Sequence, residues 1–323
     1  MKGIGGIRNK RVLYVATKNS DYLRLTQEIR LLREQGNEVT VIASAEKSYA
    51  KRLMYVYRKL MRVDMDDYDL SFIGFAPQLV MPLFGWKLRR KPVVMDFFIS
   101  MYDTLCFDRK KFRPQSLAGK LLKYIDRRTL RGAALAVCDT KAHGRYFCEE
   151  FGYPVKKMRA LYLEADTSIY YPRETEKNED FTVLYFGSIL PLQGVDVILS
   201  AIKLLENEQG IRFVVVGPLG DNLRTGEGIT EYISWLSQEQ LAEKIASADL
   251  CLAGHFNGSI MKAKRTIPGK AYIYRAMGKP MILGDNPATH ELYSEDEEGI
   301  YFCPMSDAKA LADLILSIKE QRR

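Results

Sequence analysis

The chain has 323 residues, 47% of them hydrophobic and 27% charged, with a formal net charge of +8. That composition excludes a disordered or fibrous chain, and the length suits two domains of roughly 150 residues rather than one α/β core. The charge is divided unevenly: up to Leu163 there are 32 Lys and Arg against 16 Asp and Glu, and beyond it 16 against 24, so the halves carry +16 and −8.

Taken in chain order, Arg11 to Ala16 is a short apolar run. A helical pattern of Leu23, Ile29, Leu31 and Leu32 follows, ended by Gly36 and Asn37, and Glu38 to Ala43 is the next strand. Strand, helix, strand with short links begins a parallel sheet. Lys47 to Arg62 alternates cations with Tyr49, Leu53, Met54, Val56, Tyr57, Leu60 and Met61, a pattern that fits an interfacial membrane helix and equally a helix packed on a sheet. Further strands are expected at Leu70 to Gly74, Pro92 to Asp96 and Ala134 to Cys138, with a basic helix over Lys120 to Arg131. The longest apolar run, Ser71 to Trp86, contains two prolines and two glycines and is too short to span a bilayer; it reads as strand, loop and helix start. Glu164 to Asp180 has no sustained apolar period and is taken as the connection between domains.

A second series of strands is expected at Phe181 to Phe186, Ile211 to Val216, Asp249 to Ala253 and Pro280 to Leu283. The final helix, Asp307 to Arg323, carries Leu311, Leu314, Ile315 and Ile318 on one face and should dock on a domain surface. The expected division is residues 1–165, 166–305 and a C-terminal helix 306–323. The five cysteines Cys106, Cys138, Cys148, Cys251 and Cys303 form no CxxC pair and fit a reducing cytosol. Met1 to Arg11 lacks the apolar segment of a signal peptide.

Ligands of open parallel sheets sit beyond the carboxyl ends of strands, so the loops there are the places to search. Gly187 and Ser188 follow one strand, Gln193 and Gly194 precede a helix start, and Gly217 ends the next strand. Backbone amides at such a helix start are suited to a phosphate. Lys262, Lys264, Arg265 and Lys270 place four cations in nine residues directly before the helix that opens at Ala271, with Pro268 and Gly269 between them, in an otherwise acidic half. Cations at a helix start are what a diphosphate needs. His255 and Phe256 follow another strand on the same rim. In the first half, Asp96, Asp103 and Asp139 lie beyond strand ends as candidate acid/base or hydroxyl-binding groups, with helix capping the simpler role for Asp139. The histidines His143, His255 and His290 have no neighbours at metal-ligand spacing, so no metal site is expected. Clusters at Trp86 to Lys91 and Arg109 to Arg113 add to the positive charge of the first half, and their lack of a nucleic-acid motif turns the expected partner from nucleic acid to an anionic membrane surface.

Together these residues resemble bacterial GT-B glycosyltransferases of the glycosyltransferase family 4 type. Phe186 to Gly194 is similar to the first donor-domain loop of that family, and Ile267 to Lys270 with Ala276 to Pro280 to its P-N/S-K and A-x-G-x-P signature. Lys91 to Asp96 and Ala136 to His143 are similar to strands lining its acceptor cleft. The resemblance implies an α/β GT-B fold, two Rossmann-like domains whose parallel sheets face across a cleft. It implies a metal-independent, retaining hexosyltransferase that moves a sugar from a nucleotide-sugar substrate, UDP- or GDP-linked, with no cofactor. The acceptor would be a glycan or a polyprenyl-pyrophosphate-linked glycan in bacterial surface polysaccharide synthesis, and the enzyme cytoplasmic or peripheral on the inner face of the membrane. Donor contacts would come from Gly187, Ser188, Gln193, Gly194, Gly217, Trp235, His255, Phe256, Pro268, Gly269 and Lys270, with Tyr232 to Leu236 near the base. Catalytic roles would fall to Asp96, Asp103, Lys264 and Arg265. The family's Arg and Lys of the first donor loop fall on Ser188 and Gln193, and its paired glutamates on Arg265 and Ile273. Lys264 and Arg265 are therefore expected to replace the missing charges; the alternative is a catalytically silent subunit that partners an active transferase.

Overall fold

The computed structural model describes residues 4, 6–176 and 178–321. The remaining positions, parts of the expected N-terminal lead, interdomain connection and final helix, lie outside the described residues. Contacts divide the chain into two compact units, Met1–Leu163 and Glu164–Arg323.

In the first unit β1 (Arg11–Ala16), β2 (Glu38–Ile42), β3 (Leu70–Phe75), β4 (Val93–Asp96), β5 (Leu135–Cys138) and β6 (Met158–Ala160) form one sheet in the order β2-β1-β3-β4-β5-β6. Every pairing is parallel. The strand order reverses between β1 and β3, which puts the crevice of this unit at their carboxyl ends. The connecting helices are α1 (Leu23–Glu34), α2 (Tyr49–Arg62), α3 (Met81–Leu88), the single turn α4 (Met101–Asp103), α5 (Leu117–Arg131) and α6 (Lys141–Phe151). α2 does both things its sequence allowed: Val56 and Leu60 enter the core, while Tyr49, Met54, Tyr55 and Met61 remain exposed. It packs beside α3, with Tyr57 and Phe84 rings 5.4 Å apart and Lys87 Nζ donating to the carbonyls of Leu60 and Met61.

Between α1 and the sheet lies a buried polar cluster. Arg24 grips Asp96 at both oxygens, 2.5 Å from Nε and 2.8 Å from Nη2, and donates from Nη1 to the Leu161 carbonyl. Tyr14 Oη donates to Glu28 at 2.6 Å. Burial, with the charge of Asp96 beside it, pushes the Glu28 carboxyl well above the usual range, and Arg24 Nε also lies 3.8 Å from Glu28 Oε1.

In the second unit β7 (Phe181–Phe186), β8 (Ile211–Val216), β9 (Thr230–Ile233), β10 (Leu250–Gly254), β11 (Met281–Gly284) and β12 (Ile300–Cys303) form a parallel sheet in the order β12-β11-β10-β7-β8-β9. This is the dinucleotide-fold order, and its reversal lies between β7 and β10. The helices are α7 (Val195–Leu204), α8 (Gln238–Ser247), α9 (Gly269–Ala276) and α10 (Ala308–Gln321). α10 packs on α7 and places Leu311, Ala312, Ile315 and Ile318 in the second core. All five cysteines are free and buried, and among the described residues no helix is long and apolar enough to cross a membrane.

Replacing Asp96 by Ala strands the buried Arg24 charge, and a loss of about 3–5 kcal/mol is expected. The double variant Arg24→Met/Asp96→Leu should recover a large part of it in urea titrations; equal losses would show that the charge is not the cause.

Candidate functional site

The second unit gathers its candidate residues where the strand order reverses. Gly187 follows β7 and Gly254 ends β10, and the side chain of Lys270 from the first turn of α9 reaches in between them. Lys270 Nζ stands 3.3 Å from where a Cβ on Gly187 would lie and 3.1 Å from one on Gly254. A side chain at either position would crowd the ammonium. Lys270 is only 6% exposed and lies 4.6 Å over the Tyr185 ring, and its hydrogen bond goes to Gln193 Oε1 at 2.5 Å. No carboxylate among the described residues forms an ion pair with it. Burial alone brings its pKa down to about 7.

The surrounding backbone is arranged for close approach. Gly217, at φ 158°, would bring a Cβ within 2.2 Å of the Gly187 carbonyl, so the loops after β7 and β8 lie against each other only without a side chain there. Gly194 is the N-cap of α7 and Pro268 that of α9, and neither helix start has a side-chain cap. Two sets of first-turn amides and one buried ammonium thus belong to one sheet edge, a combination suited to a diphosphate.

Ser188 and Gly269 are exposed on this rim and Pro268 is buried. Trp235, 75% exposed, lies just after β9 at the same edge, whereas Tyr232 is tied down by hydrogen bonds with both the amide and the carbonyl of Thr225. His255 is held inside its loop, Nδ1 3.0 Å from the Thr266 carbonyl, in a left-handed backbone conformation of φ 57°. Phe256 is corrected as a donor contact: it is fully buried in the hydrophobic core of the unit. Lys264 and Arg265 sit half-buried in the turn ahead of Pro268, and Lys264 has no ion pair among the described residues.

In the first unit the expected catalytic Asp96 is also corrected. It is 1% exposed and both its oxygens accept from Arg24, so it is a buried ion-pair partner and not a group on the rim. Asp103 is different: Oδ1 accepts from Tyr146 Oη at 3.0 Å, and Oδ2 is buried without a partner. Its loop is held by Asp126 of α5, which accepts from Ser100 Oγ, the amides of Met101 and Tyr102, and Gln78 Nε2. Asp139 pairs with His143 Nδ1 at 2.7 Å, and the cap of α6 is Thr140. That leaves His143 Nε2 buried and unpartnered beyond β5, as Asp103 Oδ2 is beyond β4.

Sequence reasoning missed a group at the β1 and β3 carboxyl ends. Phe75 meets Tyr22 edge-on at 5.7 Å and Phe98 at 5.8 Å, with Lys18 Nζ within 5.7 Å of the Tyr22 and Phe75 rings. These half-buried aromatics offer a face on which a sugar ring can stack. The available signal was their position at or beyond the carboxyl ends of β1, β3 and β4.

The fold is shared with solved GT-B structures. Anabaena HepE in complex with UDP superposes with a TM-score of 0.67 at 13% identity, over 97% of this chain and 91% of that one. Sucrose-phosphate synthase of Thermosynechococcus elongatus gives 0.64 at 13% identity, over 96% and 90%. The chain therefore has the α/β GT-B fold of two Rossmann-like units. Residues 180–321, most of the second unit, match the family described as Glycosyl transferases group 1. The chain is 33% identical over 143 residues to the probable glycosyltransferase WbjE of Pseudomonas aeruginosa, covering 42% of this chain. It is 25% identical over 226 residues to the chitobiosyldiphosphodolichol beta-mannosyltransferase of Candida albicans, covering 62% of this chain. It spans 35% and 48% of the lengths of those two relatives.

The depressed pKa of Lys270 means that between about pH 7 and the ordinary lysine value near 10.4 the unfolded chain binds the extra proton. The contribution of this site to stability therefore rises with pH across that window and is lost as pH falls through 7. Thermal melts should show wild type gaining on Lys270→Met as pH rises; parallel profiles would contradict the buried ammonium.

Proposed function

We propose that this chain is a glycosyltransferase that binds a nucleotide sugar, UDP- or GDP-linked, on its second unit, with the diphosphate at Lys270 and at the starts of α7 and α9. The observation that carries the reading is the buried Lys270 ammonium, paired with a neutral amide at the point where the sheet order reverses. HepE was crystallised with UDP, which supports a uridine donor. Negative charge that develops on the departing diphosphate is stabilised by an ammonium already in place in a low-dielectric site. Lys264 and Arg265 supply further charge from the turn before α9, in place of the cations missing at Ser188 and Gln193. Gln193 turns its oxygen to Lys270 and so orients the ammonium it does not itself provide.

On the first unit, the acceptor sugar stacks on Tyr22, Phe75 and Phe98, and Asp103 and His143 offer buried polar atoms to its hydroxyls. The acceptor is a glycan or a polyprenyl-pyrophosphate-linked glycan of bacterial surface polysaccharide. Transfer retains anomeric configuration and needs no metal. The enzyme works at the inner face of the membrane, where the +16 charge of the first half meets anionic lipid.

Calorimetry with UDP- and GDP-sugars tests the donor half. Lys270→Met should lose donor affinity by roughly tenfold or more, as expected for a charged hydrogen bond. Binding above about pH 7 should take up a proton and weaken with rising pH. Full affinity and turnover in Arg265→Ala would remove that residue from the mechanism. Donor binding with neither hydrolysis nor transfer would identify a silent subunit instead.

A further inference from the structure

A pocket of about 330 Å³ on the first unit is lined by Arg89, Tyr124, Arg127, Arg128, Arg131 and Gly132. Arg89 caps α3, Arg128 and Arg131 lie in the last turn of α5, and Arg127 directly precedes that turn. The Nη2 atoms of Arg127 and Arg131 lie 3.8 and 4.0 Å from the point where a Cβ on Gly152 would stand, so the two guanidinium groups converge there. Arg128 has one hydrogen bond, a long one of 3.5 Å to Tyr124 Oη. None of the four arginines has an ion pair among the described residues. One cation in a last helical turn complements the helix dipole. Four exposed guanidinium groups around one pocket concentrate positive charge there, a surface complementary to an anion.

The same helices carry exposed apolar side chains that lead to this pocket. On α5, Leu117 is 87% exposed, and Leu121 and Tyr124 follow one and two turns later on the same face. On α3, Leu83 and the 75% exposed Trp86 stand one turn apart, ahead of Arg89. A soluble anion has no use for such a row, whereas a phospholipid presents a phosphate to the arginines and acyl chains to the leucines and the indole. Arg89 precedes β4 and Gly132 precedes β5, so the pocket lies at the amino ends of the strands, away from Asp103 and His143, which follow the carboxyl ends of β4 and β5.

We infer that the arginine pocket is a headgroup site for an anionic phospholipid, with α3 and α5 lying along the bilayer surface. The inference rests on the membrane-surface part of the proposed function and gives it a specific site, separate from the reacting groups. Multidentate phosphate recognition by guanidinium groups sets the specificity, and the apolar row sets the depth.

The test is flotation of the full chain with phosphatidylcholine vesicles with and without phosphatidylglycerol. Wild type should bind the anionic vesicles, and Arg127→Gln/Arg131→Gln should reduce partition by roughly tenfold or more, since each cation near such a surface counts separately. Leu117→Ser/Leu121→Ser should weaken binding to the same vesicles. Both variants should keep wild-type donor affinity in calorimetry, which separates failure of this site from failure of the transferase reading. Unchanged partition in the arginine variant would overturn the inference. So would binding of inorganic pyrophosphate that the arginine variant loses while vesicle binding is absent, because the pocket would then serve a soluble anion.

Discussion

An ammonium group buried without a carboxylate is a costly feature, and the second unit is organised around one. Lys270 fits between β7 and β10 because Gly187 and Gly254 have no side chains to exclude it, and Gln193 and the Tyr185 ring give it partial compensation without neutralising it. Desolvation moves its titration to about 7. A fully paired lysine would be stable and inert; this one retains an unmet demand for negative charge. The glycine contact between the loops after β7 and β8 and the uncapped starts of α7 and α9 all serve the same small volume.

The first unit solves the opposite problem. Arg24 and Asp96 pair at both carboxylate oxygens, so the buried cation here already has its counter-charge. Among the buried polar atoms of this unit without a partner are Asp103 Oδ2 and His143 Nε2, in the helical segments that follow β4 and β5. The difference between the two kinds of carboxylate is one of partners and not of residue type, which is why Asp96 and Asp103 look alike in the sequence.

Strands with continuous apolar runs, β1, β7, β8 and β10 among them, were readable almost to the residue, because a parallel sheet covered on both faces demands such runs. Three strands were missed, β6, β9 and β12, and all three are edges of their sheets. With one neighbour and half-exposed residues they carry little of that signal. At the site, the glycines and Lys270 were legible because strand end, glycine and helix start occur in order along the chain. Phe256 was misread because proximity to the rim in sequence does not reveal which way a ring turns, and it turns into the core. The platform of Tyr22, Phe75 and Phe98 is assembled from the N-cap of α1, the last residue of β3 and the segment after β4, and no spacing rule along the chain could join them.

Asp126 ties α5 to the segment after β4 through three donors, two of them main-chain amides, and to Gln78 after β3 through a fourth. The helix and residues 100–102 therefore form one mechanical piece: a displacement of α5 either carries that loop with it or leaves a buried carboxylate stripped of its donors. α5 also bears Leu117 and Arg131 on its outer side. Whatever force is applied to the outside of this helix is delivered, through a single carboxylate, to the segment that ends in Asp103.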